Sequence, residues 1–136
     1  MLTAKTLHIS INRPCSEAYD FLSQPENFPK WAKGLSDSLH PDDGSWVADT
    51  AQGKIRIRFS PMNAFGVLDH WVTLPDGTVV YVPLRVLANQ GGVEVVFTLF
   101  RQPAMDDATF ARDAALVMAD LQALKRLLES GWKEKE

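Results

Sequence analysis

Near the start of the chain Leu7, Ile9 and Ile11 alternate with His8, Ser10 and Asn12, the two-residue period of a strand with one buried face. Arg13-Pro14 interrupts it, and Pro14, Ser16 and Glu17 have the character of a helix opening. Ala18, Phe21 and Leu22 recur at helical spacing, which predicts a short amphipathic helix running to about Gln24 and stopped by Pro25. Phe28, Pro29 and Trp31 predict a second short, irregular helical turn, and Gly34 to Gly44 is polar and turn-rich, with Pro41-Asp42-Asp43-Gly44 as punctuation. From Trp46 onward the period is two again. Gln52-Gly53, Asp76-Gly77 and Asn89-Gln90-Gly91-Gly92 separate β-rich runs as hairpin turns do. From Met105 a helical stripe takes over: Phe110, Ala114, Val117, Met118, Leu121, Leu124 and Leu128. Asp106 and Asp107 open that helix and Lys125 and Arg126 lie near its end, both favourable to its dipole, with Gly131 as the stop. No repeat, linker or low-complexity stretch divides residues 1–136, so one domain is expected.

Tight turns set register, and opposed residues share a sheet face. A two-residue turn at Asp76-Gly77 pairs Thr73 with Val80, Trp71 with Val82 and Asp69 with Leu84. The next hairpin pairs Val80 with Arg101, Val82 with Leu99, Leu84 with Phe97 and Val86 with Val95. The face shared by both, including Asp69, Trp71, Thr73, Phe97 and Leu99, is expected to lie under the long helix. In the earlier hairpin Trp46, Ala48, Ile55, Ile57 and Phe59 point inward, and Asp49 opposes Arg56 as an ion pair worth less than about 1 kcal/mol. The opposite face carries Leu68, Val72, Leu74, Val79, Tyr81, Val96 and Phe100 among His70, Arg85, Glu94 and Thr98. So much apolar surface marks either an interface, such as a homodimer contact, or a face covered by loops and the short helices.

Composition narrows the classes. The 136 residues are 46% hydrophobic and 23% charged, enough apolar content for a packed core. A net charge of −3 without a basic stripe argues against nucleic acid as a partner. A single cysteine, Cys15, excludes an internal disulfide and fits a reducing compartment, so a cytoplasmic location is expected. Met1 to Asn12 lacks the basic flank and apolar run of a signal peptide, and no stretch approaches the roughly 18 apolar residues of a membrane span. His8, His40, His70 and Cys15 lack the spacing of a zinc site, so no metal is expected, and nothing calls for a cofactor.

The layout is a strand, two short helices, a run of antiparallel strands and one long C-terminal helix. Together with Ile11-Asn12-Arg13-Pro14 through Tyr19-Asp20-Phe21-Leu22, Pro25-Glu26-Asn27-Phe28 and Trp31, it resembles the polyketide cyclase-like branch of the START/Bet v 1-like (SRPBCC) superfamily. Leu68-Asp69-His70-Trp71 through Val82-Pro83-Leu84-Arg85-Val86, the run Glu94 to Leu99, Phe110-Ala111-Arg112-Asp113, Asp120-Leu121 and Leu124-Lys125 are similar to the same branch. The resemblance covers essentially the whole chain and is one of fold residues more than of a catalytic signature. It implies an α+β helix-grip fold, a curved antiparallel sheet wrapped around the long C-terminal helix with two short helices after strand 1. It also implies a cavity between sheet and helix for an apolar molecule such as a lipid or polyketide. Some members catalyse cyclisation or dehydration, and fold alone does not choose among these roles.

On this reading Asp69 is the most informative residue. Flanked by Leu84 and Phe97, a buried carboxylate has its pKa raised and suits acid/base work, as in a cyclase. The other reading is a carboxylate near a bulge or sheet edge that bonds backbone or a loop hydroxyl. His70 is next in the chain but points to the opposite face, so a catalytic Asp–His pair would need a bulge. Cys15 lies where a helix N-terminus favours thiolate, yet a buried, inert cysteine is the commoner case. The expected ligand lining is Asp69, Trp71, Leu84, Phe97, Leu99, Arg101, Phe110, Ala114, Val117, Met118 and Leu121, a set that also reads as ordinary core. Arg101, at the end of the inner row, would fix an anionic head or else stand solvated at the rim. The leading expectation is therefore binding or carrying of a small, largely apolar molecule. The alternatives are a cyclase- or dehydratase-type enzyme using Asp69, and a protein-interaction module acting through the outer sheet face.

Overall fold

The computed structural model describes residues 1–34 and 38–131; part of the turn-rich segment before the first hairpin, 35–37, lies outside them. The elements in order are β1 (Ala4–Ile11), α1 (Cys15–Leu22), a 3₁₀ turn (Pro25–Lys30), β2 (His40–Asp42), β3 (Ser45–Thr50) and β4 (Gly53–Phe59). They continue with β5 (His70–Thr73), β6 (Val79–Val82), β7 (Leu84–Asn89), β8 (Gly92–Phe100) and α2 (Asp107–Glu129). The strands are antiparallel throughout and form two hydrogen-bonded sections, β1-β8-β7 and β2-β3-β4-β5-β6. Pro83 sits at the join, where it has no N–H to give a ladder; its carbonyl accepts from the Thr98 N–H at 3.1 Å and carries the curve across the gap.

α2 lies on the three-stranded section. Its Ala114, Leu121, Leu124 and Leu128 are buried against Leu7, Ile11, Leu84, Val86, Val93 and Val95. Asp106 caps the helix by accepting from the Thr109 N–H at 2.7 Å, and Arg126 in the last turn complements the dipole. The far end is tied to β1: Lys125 donates to the Ser10 carbonyl and to Glu129, which itself accepts from the Asn12 N–H. A second, smaller core of Ala48, Ile55 and Ile57 sits on the five-stranded section, with Phe28, Leu39, Phe59, Val72 and Leu74 packed around it. This is the helix-grip architecture, α+β, with a curved antiparallel sheet around a long C-terminal helix.

Two expected pairings hold, Leu84 with Phe97 and Val86 with Val95; in the β3–β4 hairpin the inward set Ala48, Ile55 and Ile57 holds, but the strands are shifted by two residues, so that Trp46 opposes Ile57 and Ala48 opposes Ile55. The β5–β6 register does not hold. Thr73 pairs with Val79, Val72 with Val80, Trp71 with Tyr81 and His70 with Val82. The turn is three residues, Pro75-Asp76-Gly77, closed by Gly77 N–H to the Leu74 carbonyl at 2.9 Å and by Leu74 N–H to the Thr78 carbonyl at 2.8 Å. Gly77 takes φ +91°, the left-handed position that succeeds a type I turn in three-residue hairpins. The extra residue inverts every side chain of β5. Asp69, Trp71 and Thr73 lie on the outer side of the sheet, and Leu68, His70, Val72 and Leu74 on the inner side.

The same hairpins bring smaller corrections. Asp49 opposes Lys54, its ion-pair partner at 3.3 Å, while Arg56 reaches Asp42 at 2.6 Å. The turn-rich segment contains a strand, β2, joined to β3 by the two-residue turn Asp43-Gly44. α1 ends at Leu22, two residues before the expected Gln24.

Candidate functional site

The reversal of β5 splits the adjacent pair Asp69-His70 between two environments. On the outer side, Asp69 Oδ1 accepts from the Leu84 N–H at 3.0 Å and Arg85 Nε at 2.9 Å, and Oδ2 from the Tyr81 hydroxyl at 2.6 Å and Arg85 Nη2 at 2.8 Å. A carboxylate offers about four lone-pair directions, and all are taken. The Arg85 guanidinium, with the Tyr81 hydroxyl and the Leu84 N–H, overcomes the opposing effect of burial and holds the Asp69 pKa down to about 2. The expected rise in its pKa is thus reversed, because the group is buried with a full set of donors instead of alone. Ionised and saturated, Asp69 has no lone pair left with which to take a substrate proton.

An Asp whose pKa is lowered on folding contributes stability above its unfolded pKa, and loses it as pH falls through the folded one. Asp69→Asn is expected to cost about 2 kcal/mol at pH 7. The gap to wild type should close between about pH 4 and pH 2, as read by urea denaturation across pH. Equal stability of the two proteins at pH 7 would show that the cluster contributes nothing.

The same outer side carries a ladder of rings. The Arg58 guanidinium lies 4.3 Å over Trp71, Trp71 stacks on Tyr81 at 5.3 Å, and Tyr81 on Phe100 at 6.1 Å. Val79 and Leu87 are more than half exposed nearby. Arg101, expected at a ligand mouth, instead joins β8 to the loop before α2: its guanidinium donates to the Met105 carbonyl and Asp107, and its N–H to the Thr3 carbonyl.

On the inner side His70 is 3% exposed. It opens into a cavity lined by Leu22, Ser23, Phe28, Trp31, Phe59, Ser60, Leu68, His70 and Leu84. The aromatic wall is tight: Phe28 lies edge-on to His70 at 5.3 Å and to Phe59 at 5.7 Å, with Trp31 5.1 Å from Phe28. The cavity is partly open to solvent and measures about 20 Å³, room for roughly one water molecule. Each wall has a local cause. Ser60 is held by its N–H and Oγ, both donating to the Asp69 carbonyl at 3.0 and 2.6 Å. Phe28 and Trp31 ride on the 3₁₀ turn, which buried Asn27 anchors by donating from Nδ2 to the Phe21 carbonyl at 3.0 Å.

The charge state of His70 is set by its surroundings. Its Nδ1 lies 3.2 Å from the Leu68 carbonyl; a carbonyl only accepts, so Nδ1 carries the proton and Nε2 presents a lone pair. Burial pulls the pKa from 6.5 to about 4 against the opposing pull of that carbonyl and the Asp69 charge. The ring is therefore a neutral acceptor at physiological pH, and its Nε2 has no hydrogen-bond partner among the described residues.

Of the residues expected to line a ligand space, only Leu84 borders this cavity. Phe97, Leu99, Val117 and Met118 are half-buried and pack on the main core, Ala114 and Leu121 are buried within it, and Phe110 is half-buried at the start of α2. Asp69 and Trp71 lie across the sheet. The lining residues Leu22, Ser23, Phe28, Trp31, Phe59, Ser60, Leu68 and His70 escaped the sequence reading as a site. Pro75 was the available signal, since proline before Asp-Gly favours a type I turn with glycine after it. Cys15 is a half-buried free thiol on an outer groove beside Phe65 and Leu87. Among the described residues no group of three or more His, Cys, Asp or Glu is placed to hold a metal ion, and no helix is long and apolar enough to cross a membrane.

No protein-family model matches the chain, and no curated protein matches it in sequence. Solved structures do resemble it. DynU16, a protein in the dynemicin biosynthetic locus, superposes with a TM-score of 0.73 at 17% identity over 94% of this chain, which spans 48% of that protein's length. Ara h 8.0201 superposes at 0.68 with 11% identity, covering 96% of this chain and 100% of the other. The Aha1 dimer from Colwellia psychrerythraea gives 0.69 at 15% identity over 97% and 100%. At these identities the similarity establishes a shared Bet v 1-like fold.

Proposed function

We propose that this protein binds or carries a small, largely apolar molecule, of lipid or polyketide character, at the cavity beneath the 3₁₀ turn. The observation that carries the reading is an apolar wall of Leu22, Phe28, Trp31, Phe59, Leu68 and Leu84 closing on one buried polar ring, His70. Such a pairing of apolar lining with one orienting group is what small-molecule sites share, and the fold shared with DynU16 and Ara h 8.0201 is compatible with it. At about 20 Å³ the resting cavity is smaller than any such ligand. The 3₁₀ turn is the wall best able to give, because its short i→i+3 bonds are weaker than a helix ladder and no strand pairs with it. Movement of Phe28 and Trp31 outward would open space toward the inner faces of both sheet sections.

Native mass spectrometry of the protein purified from its own cells tests this. The expected result is a bound small molecule that is absent when Leu68→Trp fills the cavity. Protein that carries nothing, and that also fails to take up a neutral fluorescent apolar probe such as N-phenyl-1-naphthylamine, would overturn the reading. The same spectra report oligomeric mass. The exposed Val79, Tyr81 and Leu87 on the outer face support a contact with a second copy of the chain, and a monomer at high micromolar concentration would remove that part.

A further inference from the structure

Three polar side chains at the cavity have already spent their protons. His70 Nδ1–H goes to the Leu68 carbonyl, Ser60 Oγ–H to the Asp69 carbonyl at 2.6 Å, and Ser23 Oγ–H to the Asp20 carbonyl at 3.2 Å. Acceptor capacity remains for a guest, namely the Nε2 lone pair of His70 and the two hydroxyl oxygens. A carboxylate or ketone end would meet lone pairs with lone pairs at these three groups, and the Trp31 indole N–H is the one wall donor left for it, whereas a hydroxyl can use both kinds of partner. A cationic end would gain from Phe28, Trp31 and Phe59. It would nonetheless enter a site without a countercharge of its own, because Asp69 lies across the sheet and is saturated by Arg85, Tyr81 and Leu84; that burial is too costly. A neutral donor is the end that fits, and a hydroxyl matches a space the size of one water.

We propose that the cavity selects an apolar molecule through a hydroxyl group, phenolic or alcoholic, that donates its hydrogen bond to His70 Nε2. The ring rests against Phe28 and Phe59 at 5.3 and 5.6 Å and is pinned by the Leu68 carbonyl, so the lone pair is held in place before the ligand arrives. This rests on the binding reading above and names the polar end of its ligand.

Phenol and toluene, matched in shape, provide the test with the intact protein. Toluene leaves water more readily, so an acceptor-free pocket would prefer toluene. The expected result is the reverse, phenol binding about tenfold tighter, with phenol but not toluene moving the ¹⁵N resonance of His70 Nε2. His70→Phe keeps a ring and removes the acceptor, and should restore the preference for toluene. The wild-type pair and the nitrogen shift decide the matter even where that variant folds poorly. Equal binding, or a toluene preference in wild type with no Nε2 shift, overturns the hydroxyl proposal and leaves the binding reading standing. Failure of both compounds to bind overturns both.

Discussion

Replacing Gly66 by alanine is expected to destabilise the protein by about 3–5 kcal/mol, measured by chemical denaturation at pH 7. Gly66 has φ +71°, and a Cβ there would stand 2.3 Å from the carbonyl oxygen of Val86. That oxygen belongs to β7, whose Val86 N–H donates back to the Gly66 carbonyl at 2.9 Å, so neither chain can withdraw without losing a buried bond. The segment also leads into β5 and is braced on both sides. Asn63 accepts from the N–H groups of Phe65 and Val67 and donates to the Val67 carbonyl, while its own N–H reaches the Tyr19 hydroxyl. Gly77→Ala supplies the control. Its φ is +91° but nothing lies within 4 Å of an added Cβ, so it should cost about 1–2 kcal/mol, the strain of the left-handed backbone alone. Equal costs at the two glycines would refute the close approach to Val86.

Acid should remove about 3 kcal/mol of stability through His70 alone. With its pKa at about 4 in the fold and 6.5 in the unfolded chain, the unfolded state binds a proton over that interval and the folded state does not. Stability is therefore unaffected above about pH 7, falls by about 1.4 kcal/mol per unit as pH drops below 6.5, and levels off below 4. The loss through Asp69 comes lower, between about pH 4 and pH 2, so the two are separable. Urea denaturation of wild type and His70→Gln at intervals from pH 7.5 to 4 should show slopes that diverge by that amount. Parallel curves would mean that the imidazole is hydrated in the fold.

Much of the fold is legible along the chain because each element carries its own period. The α2 stripe, the alternation of β1 and the β7–β8 register all come from local pattern. The candidate site was not legible in that way, and a single residue accounts for most of the difference. Asp76-Gly77 fits both a two-residue and a three-residue turn, and in a strand one residue exchanges the two faces. Leu68-Asp69-His70-Trp71 offers no help in choosing, since either face contains one apolar and one polar side chain. The local signals lie just beyond it, in Val72 and Leu74 against Thr73 and in Pro75 ahead of Asp76-Gly77. Long-range contacts hold the same choice: Tyr81 and Arg85 reach Asp69 from β6 and β7, and Phe28 meets His70 from a distant part of the sequence. Arg101 was misplaced for a similar reason, because its partners Met105 and Asp107 belong to a stretch around the start of α2 that β-strand alternation does not reach.

The pairing of β1 with β8 bears on how the molecule assembles. Ala4 lies opposite Phe100, and Ile11 opposite Val93. The first strand thus has no ladder partner until nearly the whole sheet-forming chain exists, and α2, which packs on β1 and β8, waits longer still. Closing so large a loop is slow, and rates fall as contacting residues lie further apart in sequence. The β3–β4 and β5–β6 hairpins need no such closure and should gain amide protection first. During synthesis on the ribosome, β1 emerges with an apolar edge of Leu7, Ile9 and Ile11 uncovered, the interval in which this chain is most open to aggregation.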